Sequence, residues 1–165
     1  MTQPPFRITL LPSGLDRSSF DSGSEPLDRY FRERVSQDVR RRIASCFVAL
    51  DERDRIAGFY TLAASSVPLA DLPADTARRL PRYPTVPAVR MGRLAVAIAF
   101  QGRSLGAALL ADAIERTARS DIAAHALIVD AKDETAAAFY RHHGFLALPE
   151  APLTLFLPLA TVAKR

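Results

Sequence analysis

Arg90-Met91-Gly92-Arg93-Leu94-Ala95-Val96-Ala97-Ile98-Ala99-Phe100 and the residues after it, Gln101-Gly102-Arg103-Ser104-Leu105-Gly106, decide how this chain folds. The apolar run from Leu94 to Phe100 predicts a buried strand. Gln101 to Gly106 predicts a tight turn, and Ala107 to Arg119 has the apolar period of a helix. A strand that passes into a helix through such a turn aims several backbone N–H groups at one point. The positive end of the helix dipole adds to them, so the turn is a seat for a phosphate or pyrophosphate. Gly102 and Gly106 allow close backbone approach, and Arg103 adds a charge beside the anion. Tight strand-to-helix corners need glycine for steric reasons as well, so the turn alone leaves a purely structural reading open.

Beyond this stretch, 165 residues predict one domain, 1–165, long enough to bury a proper core. With 48% hydrophobic residues, disorder is not expected. No apolar run reaches the roughly 18 residues of a membrane span, and the N-terminus lacks a charged-then-apolar signal pattern. The single cysteine, Cys46, makes no internal disulfide and reads as a buried small hydrophobe in a reducing compartment. A cytoplasmic protein with no membrane association and no metal site is expected. Net charge is +4, and only Lys132 and Lys164 of the 22 basic residues are lysines. Arginine grips phosphate in a planar, two-pronged way that lysine cannot copy, which points to an acidic partner. An arginine-rich proteome would give the same composition without one.

In chain order, Phe6 to Leu10 alternates as a strand. Ser24, with Pro26 in the first turn, announces a helix carrying Leu27, Tyr30, Phe31 and Val35 on one face. Arg40-Arg41-Arg42 precedes a strand from Ile43 to Leu50; Asp51 to Asp54 turns the chain, and Ile56 to Val67 is the partner strand. Pro68 to Pro87 is rich in proline and turn residues, and Leu80 to Pro87 is read as excluding both helix and central strand. His125 to Asp130 is a strand. Asp133 to His143 is a helix with Asp133 as N-cap and Gly144 as the glycine past its end. Phe145 to Leu148 and Leu153 to Leu157 close the chain as strands. The pattern is that of an α/β or α+β domain.

Two motifs carry a family resemblance. Gln101-Gly102-Arg103-Ser104-Leu105-Gly106 resembles the acyl-CoA loop of the GNAT superfamily of N-acetyltransferases, Gln/Arg-x-x-Gly-x-Gly/Ala, with Ser104 in place of the usual glycine. A positive φ at Ser104 would strain the loop; a helix N-cap role would suit serine. Asp133-x-x-Ala136-x-x-Phe139-Tyr140-x-x-x-Gly144-Phe145 matches the superfamily's second pattern, with aspartate replacing asparagine. A narrower match runs through Leu27-Asp28-x-Tyr30, Gln37-Asp38, Gly58 to Leu62, Pro81-Arg82-Tyr83-Pro84, Gly92 to Val96 and Val129 to Asp133. These resemble the GNAT toxins of bacterial toxin–antitoxin pairs, although Ala97 stands where an aspartate often ends their Gly-Arg-Leu-Ala-Val-Asp run.

The resemblance implies the GNAT acyl-CoA N-acyltransferase fold, a mixed central sheet flanked by helices. It implies acetyl-CoA as cosubstrate, held by Leu94, Ala95, Val96, Gln101, Gly102, Arg103, Ser104, Leu105, Gly106 and Ala107, and by Asp133, Ala136 and Phe139. It further implies aminoacyl-tRNA as acceptor, a ribbon-helix-helix antitoxin and a homodimer. Backbone N–H groups near Ala95 and Val96 would stabilise the oxyanion, and Tyr140 would protonate the departing thiolate. Otherwise Tyr140 packs in the core beside Phe139. His142 and His143 read as the end of their helix rather than as a base. An acceptor α-amine with a pKa of about 7.7–8.0 needs less help than a lysine near 10.4, so the missing base favours an α-amine. Arg40, Arg41, Arg42, Arg78, Arg82, Arg90 and Arg93, with Arg79 beside them, are then candidates for tRNA phosphates, or else solvated charges and partners for Asp71 or Asp75. Three functions compete: a tRNA-acetylating toxin, a GNAT enzyme for a small amine or protein N-terminus, and a non-catalytic acyl-CoA-binding module.

Overall fold

A computed structural model describes residues 6–163 as a mixture of strands and helices. The order is β1 (Arg7–Leu10), α1 (Glu25–Glu33), α2 (Val35–Arg40), β2 (Ser45–Leu50), β3 (Ile56–Pro68), α3 (Ala74–Arg78) and β4 (Thr85–Val96). Then come α4 (Leu105–Arg119), β5 (Ala126–Asp130), α5 (Glu134–His142), β6 (Leu146–Leu148), β7 (Ala151–Pro158) and α6 (Ala160–Ala163). The strands form one mixed sheet in the order β1-β2-β3-β4-β5-β7-β6. β1, β2 and β3 pair antiparallel, β4 and β5 parallel, and β7 antiparallel to both β5 and β6. Among the described residues no helix is long and apolar enough to cross a membrane. The chain divides into two compact units at Ala63/Ala64, Met91/Gly92 and Ala113/Ile114.

The first unit is built on aromatic packing. Phe31 of α1 stacks on Phe59 of β3 at 4.3 Å, and Phe20 closes on both rings at 4.8 and 5.5 Å. Tyr30, Phe31 and Val35 are buried as the helical period requires, and Leu27 is half-buried. The helix expected to run through Val35 instead breaks at Arg34, and the Tyr30 hydroxyl, donating to Asp38 Oδ2 at 2.8 Å, ties α1 to α2. Ser24 sits at the N-cap of α1 with no side-chain cap bond. α2 ends with the Ile43 N–H on the Asp38 carbonyl and the Arg42 N–H on that of Val39, while Arg42 adopts a φ of +59°. That is the left-handed stop usually given to glycine.

Gly58 is dictated by close approach. A Cβ there would stand 2.8 Å from the Ala95 carbonyl oxygen and 2.9 Å from Leu109 Cδ1 of α4. Glycine at this point of β3 lets β4 and α4 sit against it.

The second unit packs Val67, Val86, Ala88, Ala126, Ile128 and Phe156 into a core, against which Leu69, Ala77 and Leu80 also lie. The proline-rich segment holds a 3₁₀ turn at Leu69–Asp71 and the short helix α3. One expectation is corrected here: Thr85, Val86 and Pro87 belong to the central strand β4. Proline is tolerated there because the register with β5 begins one residue later, at Ala88 opposite Ala126. The Pro87 carbonyl still serves, accepting from the His125 N–H at 2.8 Å.

Candidate active site

The strand expected over Leu94–Phe100 lies earlier in the chain: β4 ends at Val96, and Ile98–Phe100 is a 3₁₀ turn. The run looks like a strand by composition, but its backbone is captured elsewhere. The Ala97 N–H donates to the Ala57 carbonyl and the Ile98 N–H to that of Asp21, both at 2.8 Å. The chain then turns through Gly102, with φ +80°, and Ser104, with φ +62°, into α4. Of the two readings of Ser104 the strained one holds: it directly precedes the helix, its carbonyl accepts from the Ala108 N–H at 3.2 Å, and its φ is positive. Gln101 to Ser104 are exposed, whereas Leu105, Leu109 and Leu110 anchor the helix in the core. An exposed loop ahead of a fifteen-residue helix leaves the N–H groups of the first turn open to an anion.

Two side chains of this loop turn back to the protein. Gln101 Nε2 donates to the carbonyls of Ser22 and Val96, at 3.0 Å each. Ser22 is itself fastened to Asp28, which is only 3% exposed and accepts from the Ser22 N–H at 3.0 Å and from its Oγ at 2.6 Å. Asp28 therefore anchors the loop through Ser22 and Gln101. The Arg103 guanidinium lies 5.5 Å from the Phe100 ring centroid, with Arg55 at 5.4 Å from the same ring. Asp51, accepting from Arg55 Nε at 2.7 Å, holds that second guanidinium. Asp28, Ser22, Asp51 and Arg55 had no distinguishing spacing; only the Leu27-Asp28-x-Tyr30 likeness marked one of them. On the adjoining strand, Ala95 is buried while Leu94 and Val96 are half-buried.

In the second unit, α5 is set by its own ends. Asp133 Oδ1 accepts from the Ala136 N–H at 2.8 Å, capping the helix as expected. At the other end the Phe145 N–H reaches the Tyr140 carbonyl at 3.1 Å and the Gly144 N–H that of Arg141 at 3.0 Å, with Gly144 at φ +95°. These paired bonds bring the Phe145 and Tyr140 rings to 5.7 Å. Tyr140 is 6% exposed and Phe139 half-buried beside it at 5.3 Å. Among the described residues the Tyr140 hydroxyl has no hydrogen-bond partner. Burial first, and the Asp130 carboxylate second, push its pKa up to about 12. A phenol so placed keeps its proton at neutral pH and so has a hydrogen to donate. His142 and His143 are exposed at the helix end, His143 against the Phe139 ring at 4.8 Å.

β5 has one residue left after Val129, Asp130, while β4 runs on from its register partner Met91 to Val96. The candidate arginines divide by their company. Arg90 is paired with Asp130, and Arg78 with Asp75 at 2.8 Å. The Arg93 guanidinium lies 3.5 Å over the Tyr30 ring. Arg40, Arg41, Arg42, Arg79 and Arg82 are exposed and have no acidic partner among the described residues. Among the described residues there is also no group of three or more His, Cys, Asp or Glu that could hold a metal ion.

Residues 42–146 match the family described as acetyltransferase (GNAT) domain. The chain belongs to the GNAT acetyltransferase family. It is 41% identical over 144 residues to a tRNA-acetylating toxin of Mycobacterium tuberculosis (strain ATCC 25618 / H37Rv), covering 86% of this chain and 85% of that one. Its fold superposes on AtaT complexed with acetyl-methionyl-tRNAfMet with a TM-score of 0.87 and 29% identity, over 95% of this chain and 96% of that one. It also superposes on a tyrosine-to-phenylalanine variant of AtaT bound to the C-terminus of the antitoxin AtaR and acetyl-CoA, with a TM-score of 0.81. Identity there is 26%, over 96% of each chain. The fold expected from the two motifs, a mixed sheet with helices in the GNAT arrangement, is the fold observed.

Proposed function

We propose that this protein is a toxin that transfers acetyl from acetyl-CoA to the α-amino group of aminoacyl-tRNA. The product, an N-acetylaminoacyl-tRNA, has no free amine with which to extend a growing peptide. The observation that carries this reading is the 41% identity to a tRNA-acetylating toxin along most of both chains. The loop fits the cosubstrate. Exposed backbone at Gln101 to Ser104 ahead of α4 suits a pyrophosphate, and Gln101 and Asp28 hold that backbone in shape. Leu94, Ala95 and Val96 would line the acyl chain, and N–H groups near Ala95 and Val96 would polarise the thioester carbonyl. Asp133 at the N-cap of α5, with Ala136 and Phe139 on the helix, would complete the cosubstrate site.

In this reading the neutral acceptor amine attacks the thioester carbon, the C–S bond breaks, the Tyr140 phenol gives its proton to the departing sulfur, and the proton shed by the new amide nitrogen returns through water to the phenolate. The amine needs no strong base, since an α-amine loses its proton near neutral pH. The exposed arginines Arg40, Arg41, Arg42 and Arg82 would seat tRNA phosphates, with Arg78, Arg90 and Arg93 beside their existing partners. The protein acts in the cytoplasm as one domain over 1–165, as a homodimer, and is neutralised by a ribbon-helix-helix antitoxin. The test offers labelled acetyl-CoA to charged tRNA, uncharged tRNA and free amino acids in parallel. Label on charged tRNA alone is expected; equal label on free amino acids would refute the acceptor assignment.

A further inference from the structure

Arg93 is half-buried on β4, and its guanidinium carbon lies 3.5 Å from the centre of the Tyr30 ring. That is the separation of a guanidinium lying flat on the ring, drawn there by the negative π face. Tyr30 is fixed in its turn. It is 7% exposed on α1, and its hydroxyl donates to Asp38 Oδ2 of α2 at 2.8 Å. Burial first, and the bond to Asp38 second, raise the Tyr30 pKa, so the hydroxyl remains a donor and the Asp38 carboxylate remains engaged. The Arg93 guanidinium has no hydrogen bond and no acidic partner among the described residues. Stacking uses its face and leaves its N–H donors in the plane, aimed outward as a preset fork. Arg40, Arg41 and Arg42 are exposed, and side chains so free lose more rotamer entropy when they bind.

Which anion the fork takes follows from its place. Arg93 stands two residues before Ala95 on β4, about 7 Å along the strand. Tyr30, Asp38, Arg93 and Ala95 all belong to the first unit. In the function proposed above, the acceptor amine meets the thioester at the N–H groups near Ala95 and Val96, so this fork is the preset cation beside that point. An amino acid esterified to the last ribose of a tRNA has one backbone charge close to it, the phosphodiester that joins this nucleotide to the one before. A planar guanidinium grips such a phosphate through two parallel bonds and reads no base. We infer that Arg93, held flat by Tyr30 and Asp38, seats that last phosphodiester and thereby positions the ester-linked amino acid. Arg93 is the specificity contact, and Tyr30 and Asp38 are positioning residues that act through it. The inference rests on the tRNA acceptor proposed above and adds the contact that a free amino acid cannot make.

The test compares ordinary charged tRNA with charged tRNA rebuilt to carry a neutral methylphosphonate in place of its last phosphodiester. Both are acetylated by the full chain at saturating acetyl-CoA. The wild type should lose roughly 10- to 100-fold in kcat/KM on the neutral link, the worth of a hydrogen bond to a charged group. Arg93→Gln should bring the two tRNAs level. Arg93→Lys keeps the charge without the planar fork and should recover only part of the difference. Tyr30→Leu removes the face under the guanidinium and should shrink the difference, whereas Tyr30→Phe should keep most of it. Each variant is scored on the ratio between its own two substrates. A loss of folded protein lowers both rates alike and cannot imitate the result. Equal wild-type rates on the two tRNAs overturn the proposal and leave the acceptor assignment intact. So does the full difference surviving in Arg93→Gln or in Tyr30→Leu, which makes the stack a clamp between α1 and β4 alone. A wild type that acetylates no charged tRNA defeats both.

Discussion

Ser104 holds φ at +62°, a conformation that costs an L side chain roughly 1–2 kcal/mol and glycine almost nothing. Replacing it restores the family's glycine, at some cost in unfolded-chain entropy. Ser104→Gly should therefore raise unfolding stability by up to about 1 kcal/mol in urea denaturation and leave acetyl-CoA affinity by calorimetry equal or better. Weaker binding would show that the serine hydroxyl itself serves the ligand. Tyr140 poses the complementary question, since its packing and its proton reside in different atoms. Tyr140→Phe keeps the contacts with Phe139 and Phe145 and removes the donor. Turnover should fall about 10²–10⁴-fold with acetyl-CoA affinity unchanged; a near-normal chemical step would return the residue to a packing role. The raised pKa, about 12 for Tyr140 and likewise for buried Cys46, also fixes a sign. The folded state holds both protons more tightly than the unfolded chain, so this stability is complete below the ordinary pKa values and is lost as pH climbs towards about 12. Thermal melts should show Tm falling through that alkaline window.

Between elements, the segment from Asp21 to Gly23 acts as a staple for the loop ahead of α4. Asp21 takes the Ile98 N–H, Ser22 takes the Gln101 amide, and Asp28 grips Ser22 from α1. Removing a charged acceptor from a buried bond costs about 1.5–3 kcal/mol, so Asp28→Ala should destabilise by that order and weaken acetyl-CoA binding. Asp28→Asn, which keeps an acceptor for the Ser22 N–H, should recover much of both. Gln101→Glu would set a carboxylate against two carbonyl oxygens, and its acetyl-CoA Kd by calorimetry should rise while Tyr140 is untouched. This staple explains what the sequence could and could not tell. α5 was legible because both its ends are local: Asp133 caps three residues on, and Gly144 stops the helix one turn after Tyr140. The end of β4 was not, because Ala97-Ile98-Ala99-Phe100 is as apolar as a strand. What bends it is Ala57 and Asp21, far away in sequence. The role of Gln101 was hidden for the same reason, as its partner at Ser22 lies in another part of the chain. Pro87 misled by composition, since a proline is harmless in a strand whose ladder with β5 starts at Ala88.

Over the whole molecule, a net charge of +4 carried almost entirely by arginine fits a polyanionic substrate, but the structure separates the arginines that are free to meet one. Arg90 is an unsuitable probe despite its place on β4. Reversing its charge would put a glutamate beside Asp130, whose carboxylate already raises the Tyr140 pKa, and so disturb chemistry and binding together. Arg42 is a cleaner probe, because its charge and its backbone pull in opposite directions. At φ +59° it occupies the left-handed end of α2 where glycine would be at ease, yet it stands exposed with Arg40 and Arg41. Arg42→Gly should therefore stabilise the fold, by up to about 1 kcal/mol in chemical denaturation, since strain is relieved and no ion pair is lost. If Arg42 meets a phosphate, the same variant should bind charged tRNA more weakly, and the slope of log K against log salt should flatten by about 0.7–0.9. Greater stability with weaker, less salt-sensitive binding is a pair of signs that damage to the fold cannot produce. Unchanged tRNA affinity and slope in a stabilised variant would remove Arg42 from the nucleic-acid surface.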